Sequence, residues 1–433
     1  MGFSTERSER SPMNPTSVLR VALSSVALSF SCCVLPAISQ ERTQERIVHV
    51  YGWGDYVDPR VLTDFTRTTG IEVTYESYSS DESLETTLQP GNRAFDVVIV
   101  SSGVLRKQIA RGLYQKLDKS KLPNAVNLWP EIMERLATYD PGNEHAVNYA
   151  WFAMGIAYDV GKARELMGRE LMGRELMGKE LRGREITGKA SPSADFSFDS
   201  WGLLFQQKNL KKLSTCGVGI LDSPEDLSSA ALQYLWSNWR LSPGLDRRTD
   251  GIRAAELLTA VRRDSKRLDS RDYVNALVNG DVCVAVGYSL DSLRARYTAG
   301  MVKEFVEIDF FIPREGAPIR LDNLAIPMDA PHVEEAYEFI DFLLQPEIAA
   351  RNTNFIGVAN GVLASKSLVD GSISRNKSIY PDAAMMKRLV APQLDDGAPA
   401  TEQTISREGT PTGRATWWGL GRRVSKPARS SIF

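Results

Sequence analysis

Several short stretches place carboxylates beside aromatic rings or at the ends of predicted strands. Trp53, Asp55 and Tyr56 stand together in "VYGWGDYVD", Asp291 follows Tyr288 in "GYSLD", Asp322 lies in "RLDN", and Glu225 opens a predicted helix in "SPEDL". A cation drawn into a dry cleft loses its water. It then needs carboxylates as ion-pair partners and aromatic faces for its charge and any methylene chain. Each residue alone also has a plainer reading: Asp55 as a turn or cap residue, Tyr288 as core, and Glu225 as a complement to a helix dipole.

Other chemistries find little support. The chain has no Gly-x-Ser-x-Gly elbow, no His-Glu-x-x-His and no P-loop, and "GVGILD" at Gly217 lacks the third glycine of a dinucleotide fingerprint. His49, His145 and His332 are scattered without ligand spacing, so neither a metal nor another cofactor is expected. A net charge of -2 offers no basic field to nucleic acid, and 42% hydrophobic with 24% charged residues describes a soluble globular protein. At 433 residues the chain reads as two domains, with a cleft between them for a small molecule.

The N-terminus reads as an export signal over residues 1–39. Arg7, Arg10 and Arg20 precede an apolar run from Val21 to Leu35, followed by the small-x-small pattern Ala37-Ile38-Ser39. The run is about 15 residues, short of the roughly 20 that span a bilayer. Ser29-Phe30-Ser31 makes a poor lipoprotein box before Cys32, so soluble export to the periplasm is expected. Cys216 and Cys283 then remain, either paired in the oxidising compartment or as two buried thiols.

The elements that must position the acids follow from periodicity. "IVHVYGW", "PRVLTDFTRTTG" and "IEVTYES" read as strand, helix and strand, the helix stopping at Gly70. "DESLETTLQPG" is a helix capped by Ser80 or Asp81, and "FDVVIVSS" is the continuous apolar run of a buried parallel strand. Its end, Ser101-Ser102-Gly103, lies where α/β sheets place ligands. "HAVNYAWFAMGIAYDV" returns as strands, with Trp151 opening the second lobe. Strand, turn and capped helix follow in "CGVGILDSPEDLSSAALQYL", then helix, Asn279-Gly280-Asp281 turn, strand and helix in "RDYVNALVNGDVCVAVGYSLDSLRA". Between Glu165 and Lys189 a five-residue unit of the type "ELMGR" repeats. Each unit turns a helix by about 500°, so its leucines form no stripe, and the segment reads as a tolerated, exposed insertion.

In the order in which they occur, "VYGWGDYVDPRVLTDFTRTTGIEVTYESYSSDESLETTLQPGNRAFDVVIVSS", "LDKSKLPN", "STCGVGILDSPED", "YVNALVNGDVCVAVGYSLD" and "IYPDAAMMKRL" resemble the periplasmic polyamine-binding proteins of ABC transporters, most closely the putrescine-binding branch. The resemblance runs from about Ile47 to Val390. It implies an α/β fold of the type II periplasmic-binding-protein class: two lobes, each a mostly parallel sheet flanked by helices, with hinge strands between them. Lobe 1 would take 46–150 and 309–356, lobe 2 would take 151–308 and 357–398, and a basic tail would occupy 399–433.

Carried over by position, Trp53, Asp55 and Tyr56 match the family's first aromatic and acidic contacts, and Ser101 its strand-end hydroxyl. Glu225 matches the acid after "LDSP", Ser270 a polar contact, Tyr288 an aromatic wall, and Asp291 and Asp322 the carboxylates that hold amines. Cys216 and Cys283 fall where that branch has a disulfide-bonded pair. The resemblance implies a monomeric, exported binding protein, not an enzyme, that captures a linear polyamine and presents it to a membrane permease. Asp291 and Asp322 would hold one ammonium, Asp55 or Glu225 would assist at the other, and Trp53, Tyr56 and Tyr288 would stack on the chain between.

This sequence departs from the family at several points. Gly54 and Gly103 stand where serines are usual, Val358 near a tyrosine, and Tyr288 at a position usually tryptophan. Arg320 replaces an aromatic next to Asp322, where a guanidinium would pair with Asp322 and compete with a ligand amine. Two rivals follow: the same fold receiving an amino acid or guanidino compound through Arg320, or a sensor that touches a partner through the repeat and tail.

Overall fold

The computed structural model describes residues 46–167, 199–237, 247–268, 270–302 and 306–392. The export segment 1–39, nearly all of the repeat 165–189 and the tail 399–433 lie outside the described residues, as does the side chain of Ser270.

The chain opens with β1 (Ile47–Trp53), paired in parallel with β2 (Glu72–Tyr78) and with β3 (Val97–Ser101). Helix Pro59–Thr69 makes the crossover between β1 and β2. Asp58 caps it by accepting from the Arg60 amide at 2.9 Å, Pro59 sets its first turn, and Gly70 ends it at a φ of 72°. Helix Asp81–Thr87 starts at Ser80, whose hydroxyl and that of Ser83 form a capping box. Every residue of β3 is buried, as its unbroken apolar run requires.

The second half repeats the pattern. β5 (Val218–Leu221) pairs in parallel with β6 (Lys266–Leu268) and with β7 (Val284–Tyr288). Helix Pro224–Ser237 follows β5, and helix Ser289–Val302 follows β7.

Two long strands join the halves. β4 (Ala146–Asp159) pairs with β9 (Ala317–Ala325) from Ala146 to Ala153, then with β7 from Met154 to Tyr158. β9 in turn lies antiparallel to β3, with Ser101 opposite Asp322. The strand order is therefore β2-β1-β3-β9-β4-β7-β5-β6. Short strands β8 (Ile308–Phe311) and β10 (Ala359–Asn360) pair with β4, and β11 (Leu389–Val390) with β9. Two parallel three-stranded sheets sharing a pair of antiparallel crossing strands form the two-lobed architecture expected.

Polar knots fix the crossing. The Asn323 amide donates to the Val100 carbonyl at 3.2 Å and to Ser102 Oγ at 3.0 Å, tying β9 to the end of β3. Asn148 Nδ2 donates to the Asp322 carbonyl and to Asn323 Oδ1, each at 3.1 Å. Both asparagines are wholly buried, and bonded amides in a dry interior are strong and specific. Cys216 and Cys283 form a disulfide with Cα atoms 5.6 Å apart, joining the chain before β5 to the start of β7. No helix of the described residues is long and apolar enough to cross a membrane.

Candidate functional site

The parallel strands of both lobes deliver their following residues to one place. Trp53 ends β1, Asp81 starts the helix after β2, and Ser101 ends β3. From the other lobe, Glu225 and Asp226 lie in the first turn after β5, Tyr288 ends β7, and Asp291 lies in the first turn of the next helix. Arg320 and Asp322 come from crossing strand β9, two positions apart and so on one face of it.

At the centre is the Arg320 guanidinium. Its carbon lies 5.5 Å from the centre of the Trp53 ring and 5.6 Å from that of Tyr288, one ring from each lobe. Its Nη2 lies 3.2 Å from Asp81 Oδ2, and its Nε lies 3.5 Å from Asp322 Oδ1. About a fifth of the Arg320 side chain reaches solvent, at 22%. Burial alone would lower its pKa, but Asp81, Tyr288 and Asp322 together raise it well above the ordinary value, so the group is a fixed cation.

Around it the polar groups are bonded. Tyr56, 2% exposed, donates to Asp322 Oδ2 at 2.7 Å, and Tyr149 donates to the Tyr56 carbonyl at 2.7 Å. Burial, then the charge of Asp322, pushes the Tyr56 phenol well above its usual range, which keeps it a donor. Burial also raises Asp322, with Arg320 and the Tyr56 hydroxyl pulling the other way. Ser101 Oγ donates to Asp81 Oδ2 at 3.2 Å. Tyr288 donates to Asp226, and its ring meets Phe152 edge-on at 5.2 Å. Trp53 packs on Tyr78 with ring centres 4.4 Å apart, and Tyr75 donates to the Trp53 carbonyl at 2.7 Å. The Tyr139 phenol is raised by burial and then by Asp226 and Glu225, with Arg106 and Arg320 opposing, so these charges share one electrostatic neighbourhood.

Of the residues singled out from sequence, Trp53, Tyr56, Ser101, Tyr288, Arg320 and Asp322 come together in this cluster. Glu225 faces it across the cleft: its Oε2 lies 3.9 Å from where a side chain on Gly103 would begin. Asp291 is buried near the Tyr273 phenol, whose pKa is raised by burial and then by Asp291. Asp55 is exposed, in the left-handed region at a φ of 54°. Val358 is buried, 1% exposed. Sequence reasoning missed Asp81 and Asp226. Asp81 reads as a helix cap and Asp226 as a first-turn acid beside Glu225; the only available signal was that both follow a strand at its carboxyl end.

The histidines are less scattered than their spacing suggests. His49, Asp96 and His332 form one group among the described residues whose candidate ligand atoms lie within 4.8 Å of one another. The Asp96 carboxylate accepts from the backbone amides of His49 at 2.8 Å and His332 at 2.7 Å, and lies 3.1 Å from His332 Nδ1. With its oxygens so engaged it acts as a tie between β1, β3 and helix Val333–Leu343, far along β1 from the cleft.

Comparison with known proteins bears on this arrangement. Residues 60–376 match the model of the family described as bacterial extracellular solute-binding protein. The chain is 38% identical over 370 residues to the putrescine-binding periplasmic protein SpuD of Pseudomonas aeruginosa, covering 86% of this chain and 92% of that relative. It is 34% identical over 354 residues to the putrescine-binding periplasmic protein PotF of Escherichia coli, covering 82% and 88%. Among solved structures, the spermidine/putrescine substrate-binding protein PotD of Streptococcus pneumoniae superposes with a TM-score of 0.65 at 23% identity, over 83% of this chain and 96% of that one, which speaks to the fold. The chain belongs to the bacterial extracellular solute-binding protein family.

Proposed function

We propose that this protein captures a linear polyamine of the putrescine type in the cleft between its lobes and delivers it to the permease of an ABC transporter. The family consists of transport binding proteins rather than enzymes, and its polyamine-binding members work with such permeases. The single observation that carries the ligand class is the lining of the cleft: Trp53 from one lobe and Tyr288 from the other flank the Arg320 guanidinium, which rests on Asp322, whose second oxygen is held by Tyr56, so rings and carboxylates here are arranged to hold a cation. A charged nitrogen on an alkyl chain suits such a box. Glu225, Asp226 and Asp291 add negative charge on the opposite lobe, and Ser101, Ser270 and Asp55 are the remaining family-matched contacts. Lobe boundaries near 150, 309 and 357, export through residues 1–39 to the periplasm, a monomeric state and no engagement of nucleic acid belong to the same reading.

Isothermal titration of the folded protein with putrescine, cadaverine, spermidine, spermine and their N-acyl derivatives tests it. Saturable heat with at least one is expected. Silence with all of them removes the polyamine assignment and leaves the fold.

A further inference from the structure

The Asp96 carboxylate sets two imidazoles side by side. His49 lies within β1, Asp96 immediately precedes β3, and His332 immediately precedes helix Val333–Leu343. Asp96 is wholly buried. Its Oδ2 accepts from the His49 amide at 2.8 Å and lies 3.1 Å from His332 Nδ1, and its Oδ1 accepts from the His332 amide at 2.7 Å. Both rings are only partly covered, with 28% of the His332 side chain in solvent, so an ion can reach them.

The spacing is that of ligands sharing one ion. Zinc holds imidazole nitrogen and carboxylate oxygen at about 2.0 to 2.2 Å, so two ligand atoms on a tetrahedral ion stand about 3.3 Å apart and two imidazole centres about 5 to 5.5 Å apart. Here His332 Nδ1 and Asp96 Oδ2 are 3.1 Å apart, and the His49 and His332 ring centres are separated by 5.7 Å. One ligand atom from each of the three residues already lies within 4.8 Å of the other two, a gap that rotation of the partly exposed rings closes. A neutral His332 has only to carry its single ring proton on Nε2 rather than Nδ1, and the ion then takes the place of that proton between Nδ1 and Oδ2. The backbone amides keep their bonds to Asp96 and orient it, as outer hydrogen bonds orient carboxylate ligands around metals. Arg46 is bound to Glu335 and Glu338 of the adjoining helix, two acids to one base, so the surrounding charge favours a cation.

We propose that His49, Asp96 and His332 form a site for one divalent transition-metal ion of the zinc class, each imidazole giving one nitrogen and Asp96 one oxygen, with water in the fourth position. The donors set the class: two imidazoles with one carboxylate suit zinc and its neighbours, whereas calcium and magnesium are held by oxygen alone. The ion clips β1, the start of β3 and helix Val333–Leu343 together. His49 is four residues before Trp53, about 13 Å along the strand, so the clip stiffens the first lobe from outside the cleft and the inference needs nothing from the polyamine reading.

Zinc titration calorimetry and thermal unfolding with and without zinc, on the tag-free, disulfide-intact protein, test the proposal in wild type, His49→Gln, His332→Ala and His145→Ala. The first two variants keep the backbone amides that hold Asp96, and their unfolding without zinc shows that each is folded. Wild type should take up one zinc ion per chain and unfold at a higher temperature with it. Either His49→Gln or His332→Ala should weaken binding at least about ten-fold and abolish the shift, while His145→Ala, whose ring pairs with Asp140 instead, should behave as wild type. No saturable uptake by wild type would overturn the proposal. Undiminished uptake in His49→Gln and His332→Ala would place the ion elsewhere and overturn it too, as would an equal loss in His145→Ala.

Discussion

Asp322 is asked to be a carboxylate in a place that resists charge. Burial raises its pKa, and Arg320 and the Tyr56 hydroxyl only partly offset that. The folded chain therefore holds this proton more tightly than the unfolded chain does. Its contribution to stability is fully present below the unfolded value of about 3.9 and is lost as pH rises through the folded one. Asp322→Asn keeps the shape and removes the titration. The difference in urea midpoint between variant and wild type should therefore move in the variant's favour from acid to neutral pH, and a difference flat in pH would refute a raised Asp322. At this scale the sequence was partly transparent. Trp53, Tyr56 and Asp322 stood out because acids beside aromatics have few structural uses, and Arg320 stood out as a cation where the family has an aromatic. Asp81 and Asp226 did not, because an acid in the first turn of a helix is also what a helix dipole favours, and one letter serves both purposes.

The elements that hold these residues differ in how openly they were written. Helix Pro59–Thr69 carries its cap, its first-turn proline and its terminal glycine in order, and the structure starts and stops it there. Helix Arg247–Arg263 escaped notice because Ile252, on its exposed side at 56%, blurs the stripe formed by Ala254, Leu258 and Val261. β4 looked like several strands. It is one strand of 14 residues that changes partner after Ala153, and burial on both faces at every position but Tyr158 leaves no alternation to mark the change. The convergence of His49 and His332 on Asp96 was likewise invisible, since it depends on how β1, β3 and a distant helix meet. The crossing of β4 and β9 depends on Asn323. Asn323→Leu removes its bonds to Val100 and Ser102 and takes from Asn148 Nδ2 one of three acceptors, leaving it the Ala150 and Asp322 carbonyls. A loss of about 2 kcal/mol is expected, from buried polar groups left unsatisfied. Chemical denaturation would measure it, and a loss within error of zero would show that the knot adds nothing to the crossing.

At the scale of the whole molecule, β4 and β9 join the two lobes among the described residues, together with contacts that face each other across the cleft. A binding protein of this kind responds to its ligand because ligand contacts from both lobes favour the closed arrangement over the open one. Here Arg320 already makes such contacts without a ligand, touching Trp53 on one lobe and Tyr288 on the other. Glu225 from the second lobe approaches Gly103 of the first, where a larger residue would be in contact. The resident guanidinium should therefore shift the ligand-free population toward closure, and cation–aromatic contacts in a desolvated site are worth about 2 kcal/mol, enough to change a two-state ratio roughly thirty-fold. Small-angle scattering from the ligand-free protein reads this directly. Arg320→Gln should have a larger radius of gyration than wild type, and adding a ligand should shrink the variant more than the wild type. If the two ligand-free proteins scatter alike, Arg320 shapes the cleft without holding it shut. Its effect would then lie in which ligand enters, not in how far the lobes stand apart before one arrives.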